Sequence, residues 1–472
     1  RPWPGRGFMK TSVVLFAAAL VLAACGTAEQ QTPEPVATGP VAFVQLFEWD
    51  WNDIAVECET VLGPAGYTAV QVSPPNEHIQ GPAWWTRYQP VSYTIESRNG
   101  TREEFAAMVS RCDAAGVGTY ADTVINHMAG FPEGVGVAGS AFAEYDYPAV
   151  PYAFDDFHHC GRNEDDRIEN YQDLEEIQTC QLGTLDDLDT SKPEVQERIA
   201  DYLNDLLSLG VSGFRIDAAK HMHHDDLHAI LGLIDGDPFL YQEVIDRGGE
   251  AVNAADYLRD GYVTEFKYAA MILDAFEKGN LDVLTLFWTQ PGWLPGDQAI
   301  VFVDNHDIQR GHAFGDEVVN YKDGRRYDLA VAFMLAHPYG YPLVMSSYAF
   351  EDDQQGPPGR SPLSLDGCDA AWICEHRRAV QVRMTEFRAA TAAADLTDWA
   401  IIDDTVISFG RGELGHIVLN TGPSRVEVRL QTSLPPGRYY GLINGMQVDV
   451  DEDGALTVEL DPTSILAILA EG

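Results

Sequence analysis

Three carboxylates and one amide stand at the ends of successive strand-like stretches. Asn126 follows residues 118–125, Asp217 follows 211–216, Glu243 follows 239–242, and Asp307 closes Asp304-Asn305-His306-Asp307 after 299–303. Taken singly, each carboxylate reads as a solvated loop acid. Acids that converge at matching strand ends repel one another unless they are used, and two of them can divide the work of glycoside hydrolysis. One serves as an ionised nucleophile and the other as a protonated acid. Within Gly213-Phe214-Arg215-Ile216-Asp217-Ala218-Ala219-Lys220-His221, the guanidinium of Arg215 favours an ionised Asp217, which suits a nucleophile. Glu243, set among negative neighbours, is suited to remain protonated as the acid. Asp307 is placed to stabilise a cationic sugar.

These residues need a scaffold that brings many strand ends to one face. Strand patterns fall at 41–47, 69–72, 118–125, 211–216, 239–243, 262–266, 299–303 and 343–347. Helical patterns intervene at 51–62, 102–115, 193–209, 225–234, 267–278, 326–336 and 370–390. Eight such units predict an α/β fold, a (β/α)8 TIM barrel with its functional residues at the C-terminal ends of the strands. After the third strand the alternation lapses over 127–190, a connection long enough to be a functional insertion. From Trp399 onward short alternating strands with Gly and Pro turns predict a separate antiparallel module. The expected domains are a barrel over 41–126 and 191–390, an inserted domain over 127–190 and a C-terminal β-sandwich over 391–472.

The 472-residue chain is 45% apolar and 10% aromatic, a globular composition, with a formal net charge of -43. No basic patch for nucleic acid is present, and the acidic surface favours solubility. Residues 13–24 form an apolar run too short for an ordinary membrane span, preceded by Lys10 and ending Leu22-Ala23-Ala24-Cys25-Gly26. This resembles a lipoprotein signal peptide over 1–24 that leaves Cys25 as a lipidated N-terminus, followed by a flexible tether over 25–40. Export to the bacterial cell surface, or ordinary secretion, is the expected location, with membrane contact only through that lipid. The six remaining cysteines allow 15 disulfide connectivities, among which spacing alone does not choose.

Four segments together resemble the signature regions of the alpha-amylase family, in order and spacing. They are Asp122-Thr123-Val124-Ile125-Asn126-His127, residues 213–221, Tyr241-Gln242-Glu243-Val244 and Phe302-Val303-Asp304-Asn305-His306-Asp307. Trp84-Trp85-Thr86-Arg87-Tyr88-Gln89-Pro90 and His337-Pro338-Tyr339-Gly340 resemble the animal-type branch and its bacterial relatives. The resemblance implies retaining endo-hydrolysis of α-1,4-glucans by a monomer. In it Asp217 is the nucleophile, Glu243 the acid/base and Asp307 the transition-state stabiliser. His127, Arg215 and His306 hold the sugar at the cleaved bond, and Lys220 and His221 lie on the leaving-group side. Trp84, Trp85, Tyr88 and Tyr171 stack on glucose rings, and Gln89 belongs to the same substrate-binding segment. The Gly- and Pro-flanked setting of the Trp pair predicts that both rings are exposed.

The resemblance further implies a calcium held by Asn126 and Asp187 through side chains and by Gln178 and His221 through backbone carbonyls. Such hard oxygen ligands suit that ion. It pairs the cysteines as Cys58–Cys112, Cys160–Cys180 and Cys368–Cys374. Relatives that bind chloride use an arginine, an asparagine and a third basic residue. Arg215 and Asn305 match the first two, but Leu343 occupies the third position, so activity without chloride, or with weak activation, is expected. Two other readings compete with an alpha-amylase. One is a related α-glucan hydrolase or transglycosylase with a narrow product range; the other is a non-catalytic, lipid-anchored glucan-binding protein.

Overall fold

The computed structural model describes residues 41–470 apart from 313, 314, 316, 365 and 366. The expected leader, the tether and Cys25 lie outside the described residues. Eight strands form the core: β1 (Phe43–Leu46), β2 (Ala69–Val72), β3 (Gly118–Thr123), β4 (Gly213–Ile216), β5 (Phe239–Gln242), β6 (Tyr262–Thr264), β7 (Ala299–Phe302) and β8 (Tyr341–Ser346). Each pairs in parallel with the next, and β8 pairs with β1 to close the barrel.

Aromatic rings fill the barrel interior. Phe43 meets Tyr120 and Tyr241 edge-on at 5.5 and 5.6 Å, and Phe302, Tyr341 and Leu343 join the same buried cluster. This filling explains Gly213 at the start of β4. A Cβ there would lie 2.6 Å from the Phe239 carbonyl oxygen and 2.7 Å from the Tyr120 ring. In the same register Arg215 lies between Asp122 of β3 and Tyr241 of β5.

The surrounding helices follow from local signals. Thr101 and Glu104 form a reciprocal cap on the helix Arg102–Ala114, and Pro193 sits in the first turn of Pro193–Ser208. The helix expected over 370–390 is shorter. Cys374 adopts a left-handed conformation (φ 50°) and Arg378 an extended one, so a 3-10 turn, Glu375–Arg377, precedes the helix Ala379–Ala390. The 51–62 pattern divides into the helix Trp51–Glu57 and a π-helical turn, Cys58–Leu62.

The long connection after β3 carries a hairpin, Glu133–Val135 with Ala141–Ala143, and a short helix, Leu174–Thr179. Disulfides join Cys58 to Cys112, Cys160 to Cys180 and Cys368 to Cys374. The second closes a loop whose cross-link is worth about 3 kcal/mol in the chain-entropy account. The C-terminal domain is all β, with two four-stranded sheets. Val406, Val418, Leu466 and Ile468 of one sheet and Val428, Leu430, Leu456 and Val458 of the other form a shared core, which makes it a sandwich. Among the described residues no helix is long and apolar enough to cross a membrane.

Candidate active site

The C-terminal ends of β3, β4, β5 and β7 deliver four carboxyl groups around one guanidinium. Arg215 Nη1 donates to Asp122 Oδ1 at 2.6 Å and to Asp217 Oδ1 at 2.7 Å, and Nη2 donates to Glu243. Directly after Asp217, Ala218 is held at φ 49°, a left-handed conformation that is strained for a residue with a Cβ. Its N–H donates to Glu243 Oε2 at 3.1 Å. The strand end thus turns so that its backbone fixes the second carboxyl.

Sharing one guanidinium changes the expected charge balance. Burial pushes the Asp217 carboxyl well above its ordinary value; Arg215 pulls it down, and Glu243 and Asp122 raise it further. Asp307 is pushed up to about 8, by burial first and then by Glu243. Arg215 thus acts on three acids at once. Carboxyls that share one cation titrate as a coupled group, which suits a site needing both an acid and a carboxylate.

Asp217, Glu243 and Asp307 open into a cleft of about 530 Å³. Trp84, Trp85, Tyr88, His127, Tyr171, Lys220, His221 and His306 all line it. Exposure differs from the expectation for the Trp pair. Trp84 is only 4% exposed, its Nε1 donating to the Asp353 carbonyl, whereas Trp85 is half-buried and donates to Gln354. Tyr171, 37% exposed, has the Lys220 ammonium 5.0 Å from its ring centre. Lys220 also donates to the Ile245 carbonyl at 2.8 Å and pairs with Glu250. Gln89 is not in the cleft wall; its amide oxygen accepts from Gly130 N–H at 3.0 Å.

The histidines are neutral. Burial lowers His127 and His221 to about 4 and His306 well below its ordinary range. His127 Nε2 donates to the Tyr88 carbonyl and His221 Nδ1 to the Ile177 carbonyl. Gln45 Nε2 donates to His306 Nδ1 at 3.0 Å, so the His306 proton lies on Nε2, 3.5 Å from Asp307 Oδ2.

Sequence reasoning assigned no role to several of these groups. Asp122, Gln45 and Arg310 lie behind the cleft, while Leu182, Leu185, Ile245, Arg247, Glu250 and His312 line it. Asp122 accepts from Tyr88 OH at 2.9 Å as well as from Arg215. Its place in the first quoted segment was the available signal.

The residues expected to hold calcium fall in two pairs. Asn126 Nδ2 donates to Asp187 Oδ1 at 3.2 Å, and Gln178 Nε2 reaches the carbonyl of Met222, beside His221, at 3.4 Å. Asp186 faces elsewhere, accepting from Tyr145 N–H and Tyr147 OH. Asp187 is 1% exposed, and burial pushes its carboxyl up to about 6 despite the opposing His158 and Asn126. A buried carboxylate is the kind of hard oxygen ligand that a divalent cation such as calcium takes, and the side-chain oxygen of Asn126 could turn to the same ion. A second group, His223, His224 and Asp225, has its ligand atoms within 4.8 Å of one another and could hold a metal ion. Its two imidazoles suit a transition metal better than calcium.

The residues expected to form a chloride set have these surroundings. Leu343 is buried with Phe302 and Ile300, Arg215 is engaged by three acids, and Asn305 Oδ1 accepts from the Asp307 and Ile308 N–H groups.

Comparison with known proteins agrees with this architecture. Residues 66–229 match the family model described as "Alpha amylase, catalytic domain", and residues 399–471 match "Alpha amylase, C-terminal all-beta domain". An alpha-amylase of Tenebrio molitor is 42% identical over 469 residues, covering 92% of this chain and 97% of that protein. Alpha-amylase 1B of Homo sapiens is 42% identical over 452 residues, covering 87% and 88%. The crystal structure of a mutant alpha-amylase I from Eisenia fetida in complex with maltohexaose superposes with a TM-score of 0.87 at 37% identity, covering 91% of this chain and 97% of that one. The chain therefore belongs to the alpha-amylase family of glycoside hydrolases.

Proposed function

We propose that this protein is an alpha-amylase that cleaves α-1,4-glucosidic bonds within starch and related glucans with retention of configuration. The observation that carries the reading is Arg215 bridging Asp217 and Glu243 at the floor of an aromatic cleft. Two carboxyls on one guanidinium favour the close spacing of retaining enzymes, about 5–5.5 Å, over the wider one that admits a water between them.

In this mechanism Asp217 attacks the anomeric carbon while Glu243 gives its proton to the departing glycosidic oxygen. The glycosyl ester on Asp217 is then hydrolysed by water that Glu243, now a carboxylate, deprotonates. Asp307 faces the cationic sugar, and the Nε2–H of His306, 3.5 Å from Asp307 Oδ2, could donate to a sugar hydroxyl beside it. His127, Tyr88 and Trp84 shape the pocket at the cleaved bond. Lys220, His221 and Tyr171 receive the leaving-group side. The acidic residues speak against a purely glucan-binding role, since binding gains nothing from crowding them.

Asn126, Asp187 and the carbonyls of Gln178 and His221 would hold calcium, whose charge would favour the ionised Asp187 and tie the inserted segment to the barrel. The segment Leu22-Ala23-Ala24-Cys25 supports export with lipid attachment at Cys25. Starch digestion with products resolved by size tests the activity. Glu243→Gln is expected to lower turnover by roughly 10²–10⁴-fold with the fold intact. A trapped glycosyl adduct is expected on Asp217. Near-normal turnover in Glu243→Gln, or an adduct elsewhere, would refute the assignment.

A further inference from the structure

Arg310 is a buried cation with no carboxylate partner among the described residues. It ends the turn Ile308–Arg310 that follows Asp307 directly, and it is 4% exposed. In place of an acid, four aromatic rings surround the guanidinium. Its Cζ lies 4.3 Å from the centre of Phe350, 4.9 Å from Phe47, 5.1 Å from Tyr348 and 5.5 Å from Trp84. Aromatic faces attract cations, and more strongly where water is excluded. Nη1 donates to the His306 carbonyl at 2.8 Å and reaches Gln309 Oε1 at 3.5 Å, while Nε and Nη2 have no hydrogen-bond partner among the described residues. A charge retained at such desolvation cost needs an explanation beyond packing.

The cage adjoins the cleft through Trp84, which lines both, and through its contacts with His306. Phe47 stacks on His306 at 4.9 Å, and Trp84 meets His306 edge-on at 5.7 Å. On its other side His306 stacks on Tyr88 at 5.1 Å. The Arg310 N–H donates to the Asp307 carbonyl at 2.9 Å, and Asn305 Oδ1 receives the N–H groups of Asp307 and Ile308. The side chain of Arg310 thus grips one end of the His306–Asp307 dipeptide and its backbone grips the other.

We propose that Arg310 is the positioning residue of the His306–Asp307 turn, holding both side chains in the cleft and placing a fixed positive charge behind Asp307. This rests on the reading above in which Asp307 serves the transition state. The electrostatics point the same way. The groups acting on Asp307 are Glu243 and Asp122, which with burial raise its carboxyl, Arg215 and Arg310, which lower it, and neutral His306 beside it.

The test compares Arg310→Met and Arg310→Lys with the unaltered enzyme on a maltoheptaoside. It measures kcat, KM, the pH profile of kcat/KM and the thermal midpoint. Arg310→Met is expected to lose on the order of 10- to 100-fold in kcat, the scale of a small misplacement of reacting groups, with KM within about threefold. Its acidic limb is expected to move up by about half a pH unit or more, because a cation that favours the carboxylate is gone. Arg310→Lys keeps the charge and is expected to leave the limb in place while kcat falls. Phe350→Leu, which opens one wall of the cage, is expected to lower kcat in the same sense and reports should Arg310→Met fail to fold. A lowered midpoint with kcat and the acidic limb unchanged would overturn the proposal. Asp307→Asn separates the two readings: if that variant stays active, the role of Asp307 fails. If it is inactive while the Arg310 and Phe350 variants turn over normally, only the present inference fails.

Discussion

Asp122 Oδ1 lies 2.6 Å from Arg215 Nη1, so the guanidinium expected to serve Asp217 is held from the neighbouring strand by a further acid. Asp122 also accepts from Tyr88 OH. It therefore orients the arginine and the ring that stacks on His306, while adding negative charge that raises Asp217 and Asp307. Asp122→Asn keeps the shape and removes the charge. The acidic limb of kcat/KM is expected to move to lower pH, since carboxyls beside a lost anion ionise more readily. Turnover is expected to fall by about tenfold or more as Arg215 loses its anchor. A pH profile superimposable on that of the unaltered enzyme would show that Asp122 is a packing residue only.

Calcium removal is expected to lower the thermal midpoint, because an ion bound by the folded state alone stabilises it by mass action. Asp187 then remains buried with His158 as its nearest cation. Asp187→Asn should show a lower midpoint that chelator does not reduce further. Exhaustive chelation with no change in midpoint, together with no calcium by elemental analysis, would count against the site.

The parts legible in the sequence were those in which local pattern and chemistry coincide. Asp217, Glu243 and Asp307 stand at the ends of apolar runs, and a parallel barrel gathers such ends on one face. Asp122 and Gln45 sit inside strands, where a polar residue reads as ordinary alternation. Their partners, Arg215 and His306, are 93 and 261 residues away. Arg310 was hidden for the same reason, since its cage is assembled from residues 47, 84, 348 and 350. Trp84 was expected to be exposed from its turn-rich flanks, but the Asp353 carbonyl and the Arg310 cage draw it inward. The 370–390 helix was overestimated because apolar spacing does not register a left-handed Cys374.

Glu375 gives the fold a pH dependence outside the cleft. It is fully buried; Oε2 accepts from Ser347 N–H at 2.8 Å and Oε1 has no hydrogen-bond partner among the described residues. Burial pushes its carboxyl up to about 8. Below pH ~4 the folded and unfolded chains both carry this proton. Between about pH 4 and 8 only the folded chain does, so its contribution to stability declines as pH rises through that window, by at most about 1.4 kcal/mol per pH unit. Glu375→Gln is expected to flatten the decline, making the variant more resistant to urea at pH 8 than the unaltered protein but not at pH 4. Buried Asp304, pushed up to about 7 by burial, acts with the same sign and accounts for a residual slope. Equal pH dependence of the urea midpoint in both proteins would contradict this account.

Chloride is expected to have little effect on turnover. Leu343 extends from β8 into the aromatic filling of the barrel, where it meets neither solvent nor a charge. Arg215 would then be the only cation of the set, and Asp122, Asp217 and Glu243 already share it. An anion at that position would lose its hydration without a second positive group to offset the loss. It would also approach three acids, each of which repels it. Activity in acetate buffer free of chloride should match that in the same buffer with chloride added at constant ionic strength. Leu343→Arg supplies the missing cation beside the cluster and should create a saturable chloride response if the protein tolerates the larger side chain. Strong activation of the unaltered enzyme by chloride would show that another basic group completes an anion site.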